Sequence, residues 1–320
     1  MGGESKLELF FTIMSKLVIL TIYIAIGYGA KKLKILSDEF SDGIVKLLLF
    51  ISLPALILNI FLTSFDRTMI SQGIAMLIIS FGIYIISTPL GYLTARLMKL
   101  KREQIGVTTF AVTFPNYTFI GIPVLTSILG EQVLMNASFG NLACSISVYT
   151  IGMLTISKFG TETTGKGGLR LMAEKMSKMP VNYALLGGLI LALLNVHPPQ
   201  PITDTLSGLA NLTTPMAMIY IGATLTKNNP KEILGDWRVY ITAFMRLIVI
   251  PLAIYYIGRI FITDKMFLNT LVVGAAIPTA SFCALFAKEF GGDDVLASKY
   301  IFISTLLCLV TIPLVYIIII

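Results

Sequence analysis

Long apolar stretches separated by short charged segments recur along almost the whole chain. A helix needs about 20 apolar residues to cross the roughly 30 Å hydrocarbon core of a bilayer. Ten stretches fit this pattern, at residues 8–30, 40–62, 68–97, 104–130, 132–157, 181–196, 203–226, 237–262, 266–290 and 295–319. The pattern predicts an all-α polytopic membrane protein with ten transmembrane helices.

The composition and the charge distribution agree with a membrane protein. Of the 320 residues, 56% are hydrophobic and 13% are charged, which excludes an ordinary soluble domain. Of the 24 Lys and Arg, 17 lie in or beside the connections that follow odd-numbered spans. Four lie on the opposite side of the membrane, and 3 lie inside spans. The positive-inside rule therefore predicts a cytoplasmic basic side and two extracytoplasmic termini. The net charge of +7 reflects this asymmetry, so we expect a lipid bilayer and not a nucleic acid as the partner.

The spacing of prolines inside the spans repeats. Pro54 and Pro115 are 61 residues apart, and Pro215 and Pro278 are 63 apart. A shift of about 161 to 163 residues lays spans 1–5 on spans 6–10. Each half has an odd number of spans, so the second would be inserted upside down, as in many secondary transporters. The predicted organisation is a first five-helix repeat at 1–158, a cytoplasmic linker at 159–180 and an inverted five-helix repeat at 181–320.

Two equivalent spans contain helix-breaking residues. The fourth span contains "TFPNYTFIGIPVL", residues 113–125, and the ninth contains "GAAIPTAS", residues 274–281. Proline removes a backbone donor and clashes with the carbonyl four residues earlier, so we predict interruptions at 115–121 and 274–281. Non-helical backbone at membrane depth is tolerated only inside protein or beside a wet cavity. The pair of breaks therefore indicates one internal site, although a single proline kink would more often serve packing alone.

The chemistry of this predicted site favours an anion. Helix N-termini created by a break present unbonded N–H groups and partial positive charge, which suit a carboxylate. Arg246 lies near the middle of the eighth span, where it either attracts the anion or donates structural hydrogen bonds to carbonyls freed at a break. Asn211 and Thr213, beside Pro215, form a second-ranked group. The candidate substrate-binding residues are Pro115, Asn116, Thr118, Gly121, Arg246, Pro278, Thr279 and Ser281.

Other residue types exclude several function classes. All 17 Asp and Glu lie in loops or at span ends, which disfavours an ion antiporter built on buried carboxylates, while sodium held by backbone carbonyls stays possible. The chain has one histidine, His197, and its three cysteines fall within spans without metal-ligand spacing. We therefore predict no enzymatic activity, no metal site and no cofactor.

The sequence around both breaks is similar to one family of carriers. "FPNYTFIGIPVL" resembles the "LPNTLVMGIPLL" segment of the auxin efflux carrier family, which includes the plant PIN-FORMED transporters. "IPTASFCALFAKEF" and the following "YIFISTLLCLVTIPLVYI" resemble the family's last two spans. The resemblance implies a ten-helix elevator-type transporter with crossed broken helices in spans four and nine. It also implies that Asn116 contacts a substrate carboxylate and that Pro115 and Pro278 lie at the crossing.

These observations lead to a functional hypothesis with two alternatives. The resemblance implies a secondary transporter of small organic anions, such as malate, malonate or auxin-like acids, in the plasma membrane. The short cytoplasmic linker suits a bacterial-type member, and related architectures often form homodimers. A sodium-coupled symporter would differ by a sodium requirement. A membrane sensor without turnover would normally carry an appended signalling domain.

Overall fold

The computed structural model describes residues 6–63, 68–161, 180–196, 198–226 and 235–319. Most of the predicted linker at 159–180 and the whole of His197 lie outside these residues. The described chain is helical in each of the ten predicted stretches. The helices are α1 Lys6–Lys32, α2 Asp38–Leu47, α3 Leu53–Thr63, α4 Thr68–Leu97, α5 Arg102–Thr113, α6 Ile122–Leu129, α7 Leu134–Ser147, α8 Met153–Phe159, α9 Pro180–Leu193, α10 Gln200–Asn211, α11 Thr213–Leu225, α12 Trp237–Phe244, α13 Ile250–Phe261, α14 Lys265–Ala275, α15 Phe282–Phe290 and α16 Asp294–Ile319.

Several of these helices join into continuous stretches of membrane-spanning length. The described residues contain five that are long and apolar enough to cross a bilayer, at Asp38–Thr63, Ile70–Leu97, Glu131–Phe159, Trp237–Phe261 and Asp294–Ile319. Large apolar side chains also cover their exposed faces, as at Ile86, which is 75% exposed. These features confirm the prediction of an all-α polytopic membrane protein. The number of ten spans stays a prediction.

Prolines explain three widened turns inside the long stretches. π-helical turns occupy Leu48–Ser52, Tyr117–Gly121 and Met245–Val249. Each turn is followed, two residues after its end, by a proline: Pro54, Pro123 or Pro251. The carbonyl four residues before each proline belongs to the middle of the turn, and a proline ring clashes with that carbonyl in a regular α-helix. The local widening relieves the clash while the helix continues.

The chain divides into two compact units, each assembled from both predicted repeats. The first unit comprises Met1–Ile74, Ile122–Phe139 and Lys175–Lys227. Within it, α1 packs along α11, and α3 packs against α9 and α10. The hydroxyls of Ser52 and Thr213 are hydrogen-bonded to each other in its interior. Sequence analysis placed Thr213 in the second-ranked group of site residues. Its hydroxyl is bonded to Ser52, which belongs to the same unit.

The second unit comprises Ala75–Gly121, Gly140–Glu174 and Asn228–Ile320. Its core contains a cluster of aromatic rings. The Phe110 ring centroid lies 4.9 Å from that of Phe114 and 6.0 Å from that of Phe286. Both interruptions, from Phe114 to Asn116 and from Ala276 to Ser281, and Arg246 belong to this unit, so the candidate site can be described within it.

Glycine allows α1 and α11 to approach closely in the first unit. A Cβ added at Gly222 would lie 2.0 Å from the carbonyl oxygen of Ile24, which no native contact permits. We expect Gly222→Ala to destabilise the protein by about 1–3 kcal/mol, because the helices must separate. Gly208→Ala is the matched control, since a Cβ there meets nothing within 4 Å. Thermal unfolding in detergent would test the pair, and equal melting temperatures would contradict this packing.

A charged cluster caps α12 at the edge of the second unit. The Asp236 carboxylate accepts the backbone N–H of Arg238 at 3.3 Å and both Nε and Nη2 of its guanidinium at 2.7 Å. Lys299 Nζ lies 3.3 Å from the same carboxylate. The hydrogen bonds from Arg238 hold the pKa of Asp236 below its ordinary value of 3.8. The ionised carboxylate therefore stabilises the folded state.

This cluster predicts a pH-dependent stability difference. A lowered folded-state pKa contributes stability that is complete above the unfolded pKa and is lost as the pH falls through the folded pKa. At neutral pH we expect Asp236→Asn to cost about 1–2 kcal/mol, because asparagine still caps the helix but loses the hydrogen bonds that the charged carboxylate accepts from Arg238 and Lys299. The difference between wild type and variant should shrink below pH 3.8. Melting curves across pH would test this, and a difference that persists in acid would contradict it.

Candidate transport site

The two interruptions meet side by side in the second unit. Pro115 and Thr279 form an isolated antiparallel β-bridge. The Asn116 N–H donates to the carbonyl of Pro278 at 2.7 Å, and the Ala280 N–H donates to the carbonyl of Phe114 at 2.9 Å. Backbone groups that the breaks remove from the helices therefore bond to each other, as burial at membrane depth requires.

The interruptions lie close to the predicted positions, with one difference. We predicted a break at 115–121, but α5 already ends at Thr113. Helical structure resumes at Tyr117 as a π-helical turn, so the break is shorter and begins earlier than predicted. Phe114 is extended, with φ −106° and ψ 119°, because a residue that precedes a proline is forced away from helical geometry. In the ninth stretch α14 ends at Ala275 and α15 begins at Phe282.

Asn116 and Ser281 present polar side chains at the meeting point. The Asn116 amide is 8% exposed and donates from Nδ2 to Ser281 Oγ at 3.1 Å. Ser281 is exposed and precedes the first residue of α15. In the described part of the chain this amide and this hydroxyl bond to each other alone, so both can be turned toward a ligand and the pair can bind a carboxylate.

Thr118 lies beside a small cavity next to this pair. Its hydroxyl donates to Asn141 Oδ1 of α7 at 2.7 Å. The cavity has a volume of about 20 Å³, enough for one water molecule. Its lining residues are Pro115, Asn116, Tyr117, Thr118, Cys144, Ser145, Val148, Tyr149, Ala280 and Phe282. Three predicted site residues therefore share one cavity.

Thr279 and Gly121 hold the backbone of the breaks in place. The buried Thr279 hydroxyl donates to the carbonyl of Ala111 at 3.0 Å, and its N–H donates to Ser304 Oγ at 3.1 Å. The Gly121 N–H donates to the carbonyl of Asn116 at 3.0 Å. The polar groups of these residues are thus already engaged within the protein.

Arg246 is buried between the ends of two half-helices. The residue is 1% exposed. Its Nε donates to the carbonyl of Ile277 at 3.1 Å, and its Nη1 donates to those of Val112 at 3.3 Å and Thr113 at 3.1 Å. Of the two roles that the sequence left open, this geometry matches structural hydrogen bonding to carbonyls freed at the breaks.

Sequence reasoning missed one face of α7 and the aromatic side chains of the cavity. Asn141 and Ser145 are polar residues within a span, where such residues commonly serve helix–helix packing. Their spacing of four, together with Cys144 and Val148, puts them on one face of a helix, and this periodicity could have revealed a cavity lining. Tyr117 carries no comparable signal. Its hydroxyl has room because residue 274 is glycine. A Cβ at that position would lie only 2.9 Å from the hydroxyl oxygen.

The described residues contain no group of three or more His, Cys, Asp or Glu side chains that could hold a metal ion. The cysteine thiols contact backbone carbonyls instead. Cys144 Sγ lies 3.5 Å from the carbonyl oxygen of Pro115, and Cys283 Sγ lies 3.6 Å from that of Val107. Amides, hydroxyls and aromatic rings therefore provide the chemistry at this site.

Comparisons with known proteins identify a family of transporters. The profile described as membrane transport protein matches residues 12–166 and 169–316. An uncharacterized transporter of Methanothermobacter thermautotrophicus is 27% identical over 95% of this chain and 96% of its own length. An uncharacterized transporter of Methanocaldococcus jannaschii is 25% identical over 94% and 97%, respectively. A Rhizobium meliloti protein named "Putative malonate transporter" is 23% identical over 67% and 68%. The chain therefore belongs to the membrane transport protein family, the auxin efflux carrier family that the sequence around its two helix breaks resembles.

Proposed function

We propose that this protein is a secondary transporter of small organic anions, with malonate and related carboxylates such as malate as its substrates. The proposal depends on the meeting of two interrupted helices around the Asn116 amide and the Ser281 hydroxyl. The printed name of the Rhizobium meliloti relative supports this class of substrate. Auxin-like acids belong to the same chemical class.

The electrostatics of the site support an anion over a cation. α15 begins at Phe282, and the first N–H groups of a helix have no intrahelical partner. The N-terminal end of the helix carries partial positive charge, which favours a carboxylate. The buried acidic side chain in the described part of the chain is Asp236, and it is paired with Arg238 at the start of α12. A carboxylate at Asn116 would therefore meet donors and no opposing acid.

Direct contacts between residues of the two halves support an inverted repeat. Residues related by a two-fold axis can touch each other. Pro115 and Thr279, which form the β-bridge, are 164 residues apart, and Ser52 and Thr213, whose hydroxyls are bonded, are 161 apart. Both separations are close to the predicted shift of 161 to 163 residues, as expected for two inverted halves.

The size of the cavity supports alternating access. A volume of about 20 Å³ holds one water molecule, so a dicarboxylate can enter only after the protein changes conformation. The division into two compact units supports an elevator-type movement of one unit relative to the other. We expect a plasma-membrane location with the basic loops in the cytoplasm and both termini outside.

A thermal-stability screen against small mono- and dicarboxylates tests the proposed substrate class. A ligand that binds only the native state raises stability by RT ln(1 + [L]/Kd), which is about 2.7 kcal/mol at 100 Kd. We expect malonate or a close analogue to raise the melting temperature of the purified protein, whereas uncharged amides of the same acids should not. Uptake of the stabilising compound into proteoliposomes then separates a transporter from a sensor. Binding without uptake would overturn the transport proposal.

A further inference from the structure

Arg246 lies where two half-helices end. α5 ends at Thr113 and α14 at Ala275, so their last carbonyls have no helical partner and carry partial negative charge. The Arg246 guanidinium donates to the carbonyls of Val112 and Thr113 in the last turn of α5 and to that of Ile277, two residues beyond the end of α14, at 3.1 to 3.3 Å. One fixed positive charge is therefore hydrogen-bonded to carbonyls at both breaks.

This arrangement of oxygens is also what a small cation binds. Unwound backbone carbonyls and half-helix C-terminal ends coordinate sodium in several secondary transporters. In this protein the same kind of ligand set is occupied by a guanidinium, which stays protonated and is covalently attached to the chain. Such a cation cannot dissociate during a transport cycle.

We propose that Arg246 is a built-in substitute for a coupling cation and that organic-anion transport by this protein is independent of sodium. The inference depends on the proposed transport function. It argues against sodium coupling at these three carbonyls, because they are already bonded to Arg246.

The remaining nitrogen of Arg246 has no partner among the described residues. Its Nη2 is buried and makes no hydrogen bond there. Arg246 lines a second cavity of about 20 Å³, together with Tyr84, Gly274 and Tyr117. Tyr117 also lines the cavity of Asn116, so the two cavities border the same aromatic residue. The fixed cation can therefore balance the charge of a bound anion.

The first test uses wild-type protein in proteoliposomes that take up radiolabelled malonate. We expect equal initial rates when external sodium is replaced by potassium or by choline, at constant membrane potential. Stimulation by sodium that saturates with its concentration would overturn the inference. A complete absence of uptake under every condition would instead count against the proposed function.

The second test is a chemical rescue that does not depend on transport. Arg246→Ala leaves three carbonyls without their donor, so we expect a lower melting temperature, and millimolar guanidinium should raise it by refilling the site. This concentration is far below the molar range in which guanidinium denatures proteins. Wild type and Arg259→Ala are the matched controls, because Arg259 is exposed at the end of the same helical stretch, and neither should be stabilised.

Transport by the same variants completes the test. We expect Arg246→Ala to lose about tenfold or more of its uptake rate, as for removal of a buried charged donor, and guanidinium to restore part of the loss. Arg246→Lys keeps the charge but not the planar set of donors, so its rate should be intermediate. A folded Arg246→Ala protein that guanidinium neither stabilises nor reactivates would overturn the inference.

Discussion

Asn116→Ala should abolish the stabilisation of this protein by carboxylates. The substitution removes the amide that donates to Ser281 at 3.1 Å and leaves the backbone bond from Asn116 to Pro278 intact. At a ligand concentration near 100 Kd, the wild type should gain about 2.7 kcal/mol and the variant almost nothing. Without ligand the two proteins should melt at similar temperatures, because the change removes one polar contact and little packing volume.

Asn211→Ala is the matched control for this experiment. Asn211 is exposed at the end of α10 in the first unit, and sequence analysis had ranked it behind Asn116. The control should respond to carboxylates as the wild type does. If Asn116→Ala keeps the full ligand response, the carboxylate does not bind at the meeting point of the breaks. If both variants lose it, the loss is not specific to this site.

Pro278→Ala should impair transport more than it impairs substrate binding. Proline has no backbone N–H and therefore helps to end α14 before this position. The Pro278 carbonyl then accepts the Asn116 N–H at 2.7 Å. Alanine permits the helix to continue and so to compete with that bridge. We expect a fall in uptake rate of about tenfold or more, the effect of roughly 1.4 kcal/mol on a transport barrier. Carboxylate-induced stabilisation should change much less.

Pro89→Ala separates this effect from a general effect of proline replacement. Pro89 is exposed within α4, and that helix continues through it. The control should keep the wild-type transport rate, because no break depends on this proline. Normal uptake by Pro278→Ala would show that the interruption in the ninth stretch is not required for transport. Equal losses in both variants would point to a non-specific cause.

The comparison of Arg246 with Asn116 shows where sequence reasoning was limited. Arg246 was predicted as a site residue because a cation inside a span is expensive, and Asn116 because it lies beside a break in the segment that resembles the family. The structure places the Asn116 amide beside an exposed hydroxyl, while Nε and Nη1 of Arg246 are bonded to three carbonyls. A sequence gives the type of a side chain and its depth along a span, but not the partner supplied by a distant segment.

Local chemistry was enough to predict the class of fold and the position of the breaks. Hydrophobic periodicity at bilayer length predicts helices, and prolines act on the carbonyl four residues before them, so both effects depend on neighbours in the chain. The same local pattern around Pro115 and Pro278 carried the family resemblance, which the profile match confirms. The sequence by itself therefore determined an all-α membrane transport protein with interruptions in two separate stretches.

Only the tertiary structure decided what those interruptions contact. The partners of the Asn116 side chain, the Thr279 hydroxyl and the Arg246 guanidinium are separated from them by 165, 168 and 31 to 134 residues. Such pairs form because backbone groups freed at two separate breaks must be satisfied in an interior without water. No local pattern encodes which distant group will meet that requirement. The packing of the second unit bonded the Arg246 guanidinium to carbonyls at both breaks and brought the buried Asn116 amide to the exposed Ser281 hydroxyl.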